Sequence, residues 1–136
     1  MSGPLVRLGI PKGSLERATI ELFRKAGWKI SLSERSYVPS IDDPEISCAL
    51  VRAQEMARYV QSGELDAGLT GVDWVLENEA DVEFVSDLVY SKASAAKAHW
   101  VLAAMADSPI NRVEDCAGKT IATELVGYTR RYFAER

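Results

Sequence analysis

The residues best suited to chemistry in this 136-residue chain gather at strand-to-helix turns. In "LGIPKGSL", residues 8–15, an apolar run passes through Pro11 into Lys12, Gly13 and Ser14 and then straight into a helical pattern. A helix start offers unpaired N–H groups and a partial positive charge. Gly13 would let the backbone approach a ligand, Ser14 could cap the helix or donate, and Lys12 adds a full charge. A phosphate or a carboxylate is the ligand such a turn suits. A second turn, Gly68-Leu69-Thr70-Gly71 ahead of Asp73, is bracketed by glycine and carries a hydroxyl, and a third, Thr123-Glu124, follows "KTIA". Ligands of open α/β sheets collect beyond the carboxyl ends of strands, so these turns would together line a cleft. Arg52 ends another apolar run, where a guanidinium must meet water, a carboxylate or a phosphate.

Each feature has a plainer account. A single Lys-Gly-Ser turn is more often a capped helix start with a solvated lysine. The Gly68–Gly71 turn could be turn chemistry alone, and Asp73 a first-turn helix acid. His99, the only histidine, adjoins Trp100 in a strand pattern and suits a structural place better than a catalytic one. No Ser-His-Asp set can be assembled, and catalytic residues stay unassigned. Met56, Trp74 and Phe133 fall on or beside helical apolar spacings and belong to packing. Glu77, Glu79, Asp81 and Glu83 read as a solvated surface, since they lack the spacing of a calcium loop. No protein-held metal site is indicated.

The elements that must position these turns alternate. Residues 5–10 read as a strand and about 14–26 as a helix with Leu15, Ala18, Leu22, Phe23 and Ala26 on one face, stopped at Gly27. Extended chain resumes over 28–33, which predicts a β-α-β unit. Residues 34–45 form a loop or hairpin and 46–52 a buried strand. A helix carrying Ala53, Met56, Ala57 and Val60 ends at Gly63, "DAGL" is a very short strand, and another helix starts near Val72. Residues 82–90 look strand-like, 91–98 look like a crossing between lobes, and strands are expected again in "HWVLAAM" and "KTIAT". A helical turn falls within "SPINRVEDCAG" and a helix within "LVGYTRRYFAER", with Leu125, Thr129, Tyr132 and Phe133 on one side. The class is α/β with a mostly parallel sheet.

Composition narrows the function. Sixteen basic and twenty acidic residues give a net charge of -4, which argues against nucleic-acid backbone as a partner but leaves room for a local cationic pocket. Cys48 and Cys116 are far apart and outside any CxxC spacing, so neither a zinc knuckle nor a disulfide framework is expected and a reduced, cytoplasmic setting fits. No apolar run approaches a membrane span. A dinucleotide-binding domain fails because no GxGxxG follows the first strand.

"RLGIPKGSLERATIELFRKAGW", "LVRAQEMARYVQSGELDAGLTGVDWVLE", "DLVYSK" and "HWVLAAM…DCAGKTIATELVGYTRRYFAE" together resemble the N-terminal half of ATP phosphoribosyltransferase, the first enzyme of histidine biosynthesis, in the family's order. "GELDAGLTGVDWV", with "RxxxMxxYVxxG" ahead of it, is the specific part. The resemblance implies a fold similar to type II periplasmic binding proteins: two α/β lobes with a nucleotide cleft between them, here 1–94 as first lobe and 95–136 as the start of an incomplete second. It implies that adenine N1 of ATP displaces Mg²⁺-bound pyrophosphate from phosphoribosyl pyrophosphate, which positioning and charge neutralisation would dominate. By residue matching, Lys12 faces phosphate beside Gly13 and Ser14. Arg52, Gly68, Leu69, Thr70, Gly71 and Asp73 line the nucleotide side, and Thr123 and Glu124 the second lobe. Homo-oligomers and a separate regulatory subunit are implied partners. The family's acidic, Thr/Gly-rich phosphoribosyl pyrophosphate turn comes after the segment matching 119–136, so these residues alone are expected to be inactive. A non-catalytic small-ligand binding module of the same fold type is the competing reading.

Overall fold

The computed structural model describes residues 5–88, 90 and 99–136. Strand β1 (Val6–Lys12) runs parallel to β4 (Ile46–Arg52) on one side and to the two-residue β5 (Ala67–Gly68) on the other, giving a sheet in the order β4-β1-β5. Helix α1 (Glu16–Lys25) follows β1, and α2 (Ala53–Ser62) follows β4 without an intervening loop. Then come α3 (Val72–Asn78), a 3₁₀ turn (Val113–Cys116) and α4 (Val126–Ala134). The sequence placed each of these within a few residues.

Alternation along β1 explains the layering. Ile10 is fully buried with Ile30 and Cys48, and Leu8, Ile20, Phe23 and Leu50 pack around them, so one face of the sheet is sealed by α1. The neighbouring Gly9 faces the other way, onto the Sδ of Met56 in α2, and Met56 is itself fully buried. Burial pushes the Cys48 thiol pKa up, in keeping with a packing role.

Three expectations are corrected. The extended chain after α1 is β2 (Ile30–Ser33), but it pairs antiparallel with β3 (Ser36–Ile41) as a hairpin and does not complete a β-α-β unit beside β1. Both edges of β1 are already taken by β4 and β5, so β2 must find its hydrogen bonds elsewhere. Residues 82–88 and 90, 99–105 and 119–123 are not strands: they run as irregular chain with no ladder partner among the described residues. An apolar pattern supplies one side of a strand, whereas the ladder needs a second chain. The buried centre of α1 is Thr19, which the apolar spacing passed over. Its Oγ1 bonds the Leu15 carbonyl at 2.7 Å and the Tyr90 hydroxyl at 2.9 Å, tying residue 90 back to α1. The proposed crossing at 91–98 lies outside the described residues.

The open end of β5 is pinned to β1 by a forked ion pair. Asp66 accepts the Arg7 backbone N–H at 2.8 Å and its guanidinium at 3.2 and 3.1 Å. The Arg7 side chain, and then its backbone N–H, hold the Asp66 carboxyl below the ordinary aspartate value of 3.8. A carboxyl depressed in the folded state contributes stability that is complete above its unfolded pKa and is lost as pH falls through its folded one. Lowering the pH below about 3.8 should therefore cost the native chain more stability than it costs Asp66→Asn. Denaturant unfolding at pH 6 and pH 3 would show it, and equal losses would remove the pair from the acid response. Among the described residues no helix is long and apolar enough to cross a membrane.

Candidate functional site

Parallel pairing in register places Lys12 opposite Arg52, at the carboxyl ends of β1 and β4. Forty residues apart in sequence, the two cations stand side by side because register partners on neighbouring strands point to the same face. With Tyr37, Leu50, Val51, Glu55 and Tyr59 they line a shallow depression of about 210 Å³. Neither cation has an acidic partner among the described residues. The Lys12 ammonium sits 4.2 Å from the centroid of the Tyr37 ring, contributed by β3. Arg52 is the residue before the first turn of α2 and keeps extended backbone. Two unpaired cations at one strand edge, next to two tyrosines, can bind an anion and stack an aromatic group.

The turn after Lys12 differs from expectation. Gly13 is in the left-handed region at φ 106°, where it turns the chain from strand to helix. Its N–H, however, is directed at Glu16 Oε2 at 3.3 Å. Ser14 is exposed and does not cap α1, whose N-cap position is Leu15 with no side-chain bond. Glu16 instead closes the turn ahead of the helix, its side chain accepting the Gly13 N–H and its own N–H donating to the Gly13 carbonyl at 3.1 Å, a local arrangement that needs no serine.

Between Gly68 and Asp73 the glycines serve packing. Gly68 is the register partner of Gly9, and a Cβ on it would lie 2.6 Å from Met56 Sδ. Leu69 donates to the Gly9 carbonyl at 3.3 Å, and Thr70 Oγ1 donates to the Ala53 carbonyl at 2.6 Å, joining this turn to the start of α2. Gly71 is the N-cap of α3, and the Asp73 carboxylate crowds the place of its missing side chain. Asp73 Oδ1 accepts the Trp74 N–H at 2.9 Å and Oδ2 accepts the Trp100 indole N–H at 2.7 Å.

Asp73 and Thr123 both line a larger groove of about 1,020 Å³, with His99, Trp100 and Tyr128 among its walls. Thr123 Oγ1 accepts the Leu125 N–H at 3.0 Å and the Thr129 hydroxyl at 3.1 Å, so it steadies the start of α4, while Glu124 is exposed. The groove and the Lys12–Arg52 depression share no lining residue. Among the described residues, Lys12 and Arg52 thus line one hollow, which is cationic, and Asp73 and Thr123 another, which is mainly apolar. Tyr37 was missed because nothing local marks a hairpin residue that folds over Lys12. Glu77 is not the solvated surface acid its spacing suggests: its carboxylate accepts the Gly127 and Tyr128 N–H groups, both at 2.7 Å, and Glu79 pairs with Arg131 at 3.6 Å. No group of three His, Cys, Asp or Glu suited to a metal occurs among the described residues.

Fold and site together define a mixed α/β protein whose parallel sheet presents paired cations at its carboxyl edge. The family model described as ATP phosphoribosyltransferase matches residues 52–136, and the chain belongs to that family. Relatives named ATP phosphoribosyltransferase include one from Desulfosudis oleivorans, 62% identical over 97% of this chain and 45% of its own length. Another, from Solidesulfovibrio magneticus, is 63% identical over 96% of the chain and 44% of its own. "ATP phosphoribosyltransferase 1" of Geobacter sulfurreducens is 60% identical over 100% and 46%. The chain therefore spans about half the length of the curated relatives it matches. A solved "ATP phosphoribosyl transferase (HisG:HisZ) complex" from Thermotoga maritima aligns at 32% identity and TM-score 0.49 over 58% of this chain and 38% of that one.

Proposed function

We propose that this chain supplies the ATP-side portion of an ATP phosphoribosyltransferase acting at the first step of histidine biosynthesis. The observation that carries the reading is identity of about 60% across nearly the whole chain to proteins of that name. In the reaction the lone pair of adenine N1 forms the new N–C bond at the anomeric carbon of phosphoribosyl pyrophosphate. The C–O bond breaks, and pyrophosphate leaves with its electron pair, carrying its Mg²⁺ as part of the substrate. Little proton transfer is required, so the protein's contribution is placement and charge.

Lys12 and Arg52 suit that contribution, since exposed, unpaired cations at a strand edge can neutralise phosphate oxygens. Gly13 and Ser14 would stand beside them, the segment Gly68, Leu69, Thr70, Gly71 with Asp73 would shape the nucleotide side, and Thr123 and Glu124 would belong to the opposite lobe. The arrangement proposed is the two-lobed one of type II periplasmic binding proteins, with residues 1–94 in the first lobe and 95–136 in the second. A cytoplasmic homo-oligomer, with or without a separate regulatory subunit, completes the reading.

The reading is tested by following phosphoribosyl-ATP formation in the protein extended to the length of its relatives. Failure to form it from ATP, phosphoribosyl pyrophosphate and Mg²⁺ would overturn the assignment. Within that protein, Lys12→Ala should weaken nucleotide or phosphoribosyl pyrophosphate binding by about 1 to 3 kcal/mol, the worth of a charge-assisted hydrogen bond. Calorimetry giving an unchanged affinity would remove Lys12 from the site.

A further inference from the structure

Helices α3 and α4 meet where each has an exposed pole. An α-helix leaves N–H groups unpaired at its start and carbonyls unpaired at its end, with partial charges to match. At the start of α4 the Glu77 carboxylate takes two of those N–H groups, Oε1 from Gly127 and Oε2 from Tyr128, each at 2.7 Å. In the opposite direction the Arg131 guanidinium of α4 donates to the carbonyls of Leu76 and Glu77 at the end of α3, while its Nη1 lies 3.6 Å from Glu79 Oε2. Each helix thus neutralises the open pole of the other. Gly127 makes the approach possible, because a Cβ there would lie 3.1 Å from Arg131 Nη1 and 3.2 Å from the Glu77 carbonyl oxygen. The Asp73–Trp100 bond is a second tie, at the opposite end of α3.

We propose that Glu77, Gly127 and Arg131 form a reciprocal clasp that sets the position of the Thr123–Glu124 turn relative to the Gly71–Asp73 turn. They are positioning residues. The clasp also means that the start of α4 is occupied by a carboxylate of the chain itself, so a phosphate would have to displace Glu77 to reach it. The turn before α4 therefore acts by being held in place, and of the anion-binding candidates within these residues Lys12 and Arg52 are left to meet phosphate. The bearing of the clasp on catalysis rests on the reading of Thr123 and Glu124 given above. The clasp itself is a matter of geometry and is tested without substrate.

Amide hydrogen exchange and residual dipolar couplings of this chain, measured by NMR, read it directly. In Glu77→Ala, exchange at Gly127 and Tyr128 should quicken at least about tenfold, the loss of one net hydrogen bond. The couplings of α4 should cease to fit the same orientation as those of β1, β4 and α1. Arg131→Met should release α4 in the same way, although Glu77 is intact. Exchange in β1 and β4 should stay at native rates in both variants. Unchanged exchange at Gly127 and Tyr128, or α4 couplings that still share one orientation with the sheet, would overturn the clasp. So would acceleration spread evenly through β1 and β4, which would make the contact a source of global stability and not of position. Loss of phosphoribosyl-ATP formation by the extended protein, with the clasp intact, would instead count against the reading of function.

Discussion

Residues 1–136 by themselves, supplied with ATP, phosphoribosyl pyrophosphate and Mg²⁺, should form no phosphoribosyl-ATP. The displacement needs adenine N1, the anomeric carbon and the departing oxygen nearly in line, and each must be held by its own part of the protein. The described residues bring Lys12 and Arg52 to one depression and Asp73 and Thr123 to a separate groove. On the function proposed above, the ribose and its 5′-phosphate would be held by the acidic, Thr/Gly-rich turn that the resemblance puts beyond the segment matching 119–136. Without that third anchor the proximity contribution is lost, up to about 7 to 11 kcal/mol in well-oriented reactions, or some five to eight orders of magnitude in rate. The protein extended to the length of its relatives should recover it. Turnover by the purified 136-residue chain, once contamination by a host enzyme is ruled out, would overturn both the role given to that turn and the division of labour between the two hollows.

The second large effect belongs to Met56. Its side chain is fully buried and fills the space left by Gly9 and Gly68, the facing glycines of β1 and β5. Met56→Ala should destabilise the chain by about 2 to 5 kcal/mol, the transfer and cavity cost of a buried long side chain. Gly68→Ala errs in the other direction: its Cβ would lie 2.6 Å from Met56 Sδ and 2.8 Å from Cγ, and the thioether has no exposed space to retreat into. Overpacking of this kind costs about 1 to 3 kcal/mol. The double variant tests the cause: the added methyl partly fills the cavity, so its loss should be smaller than the sum of the two single losses. Denaturant midpoints showing strict additivity would mean that Met56 and Gly68 do not share one space.

These two effects come from different levels of organisation. The site depends on register, because a shift of one residue between β1 and β4 would turn Lys12 and Arg52 to opposite faces. The Met56 contact depends on β5, two residues long, bringing Gly68 beside Gly9. Neither partner could be named from its own segment.

The features written in the sequence are local ones. The helical spacings of α1, α2 and α4, the stops at Gly27 and Gly63, the brief β5 and the apolar runs of β1 and β4 were all legible, because each is written in residues within a few positions of one another. Family membership was legible too, in "GELDAGLTGVDWV" and the motif ahead of it. Tertiary structure decided the partners. It gave both edges of β1 to β4 and β5 and left β2 to a hairpin. It buried Thr19 against Tyr90, laid Tyr37 over Lys12 and turned Glu77 from a supposed surface acid into the cap of a helix fifty residues away. It also left the apolar patterns at 99–105 and 119–123 without ladders among the described residues. The reason is physical: periodicity reports which side of a segment seeks burial, while a hydrogen-bond ladder, a cap or a cation–ring contact is a property of two segments and exists only once the chain has brought them together.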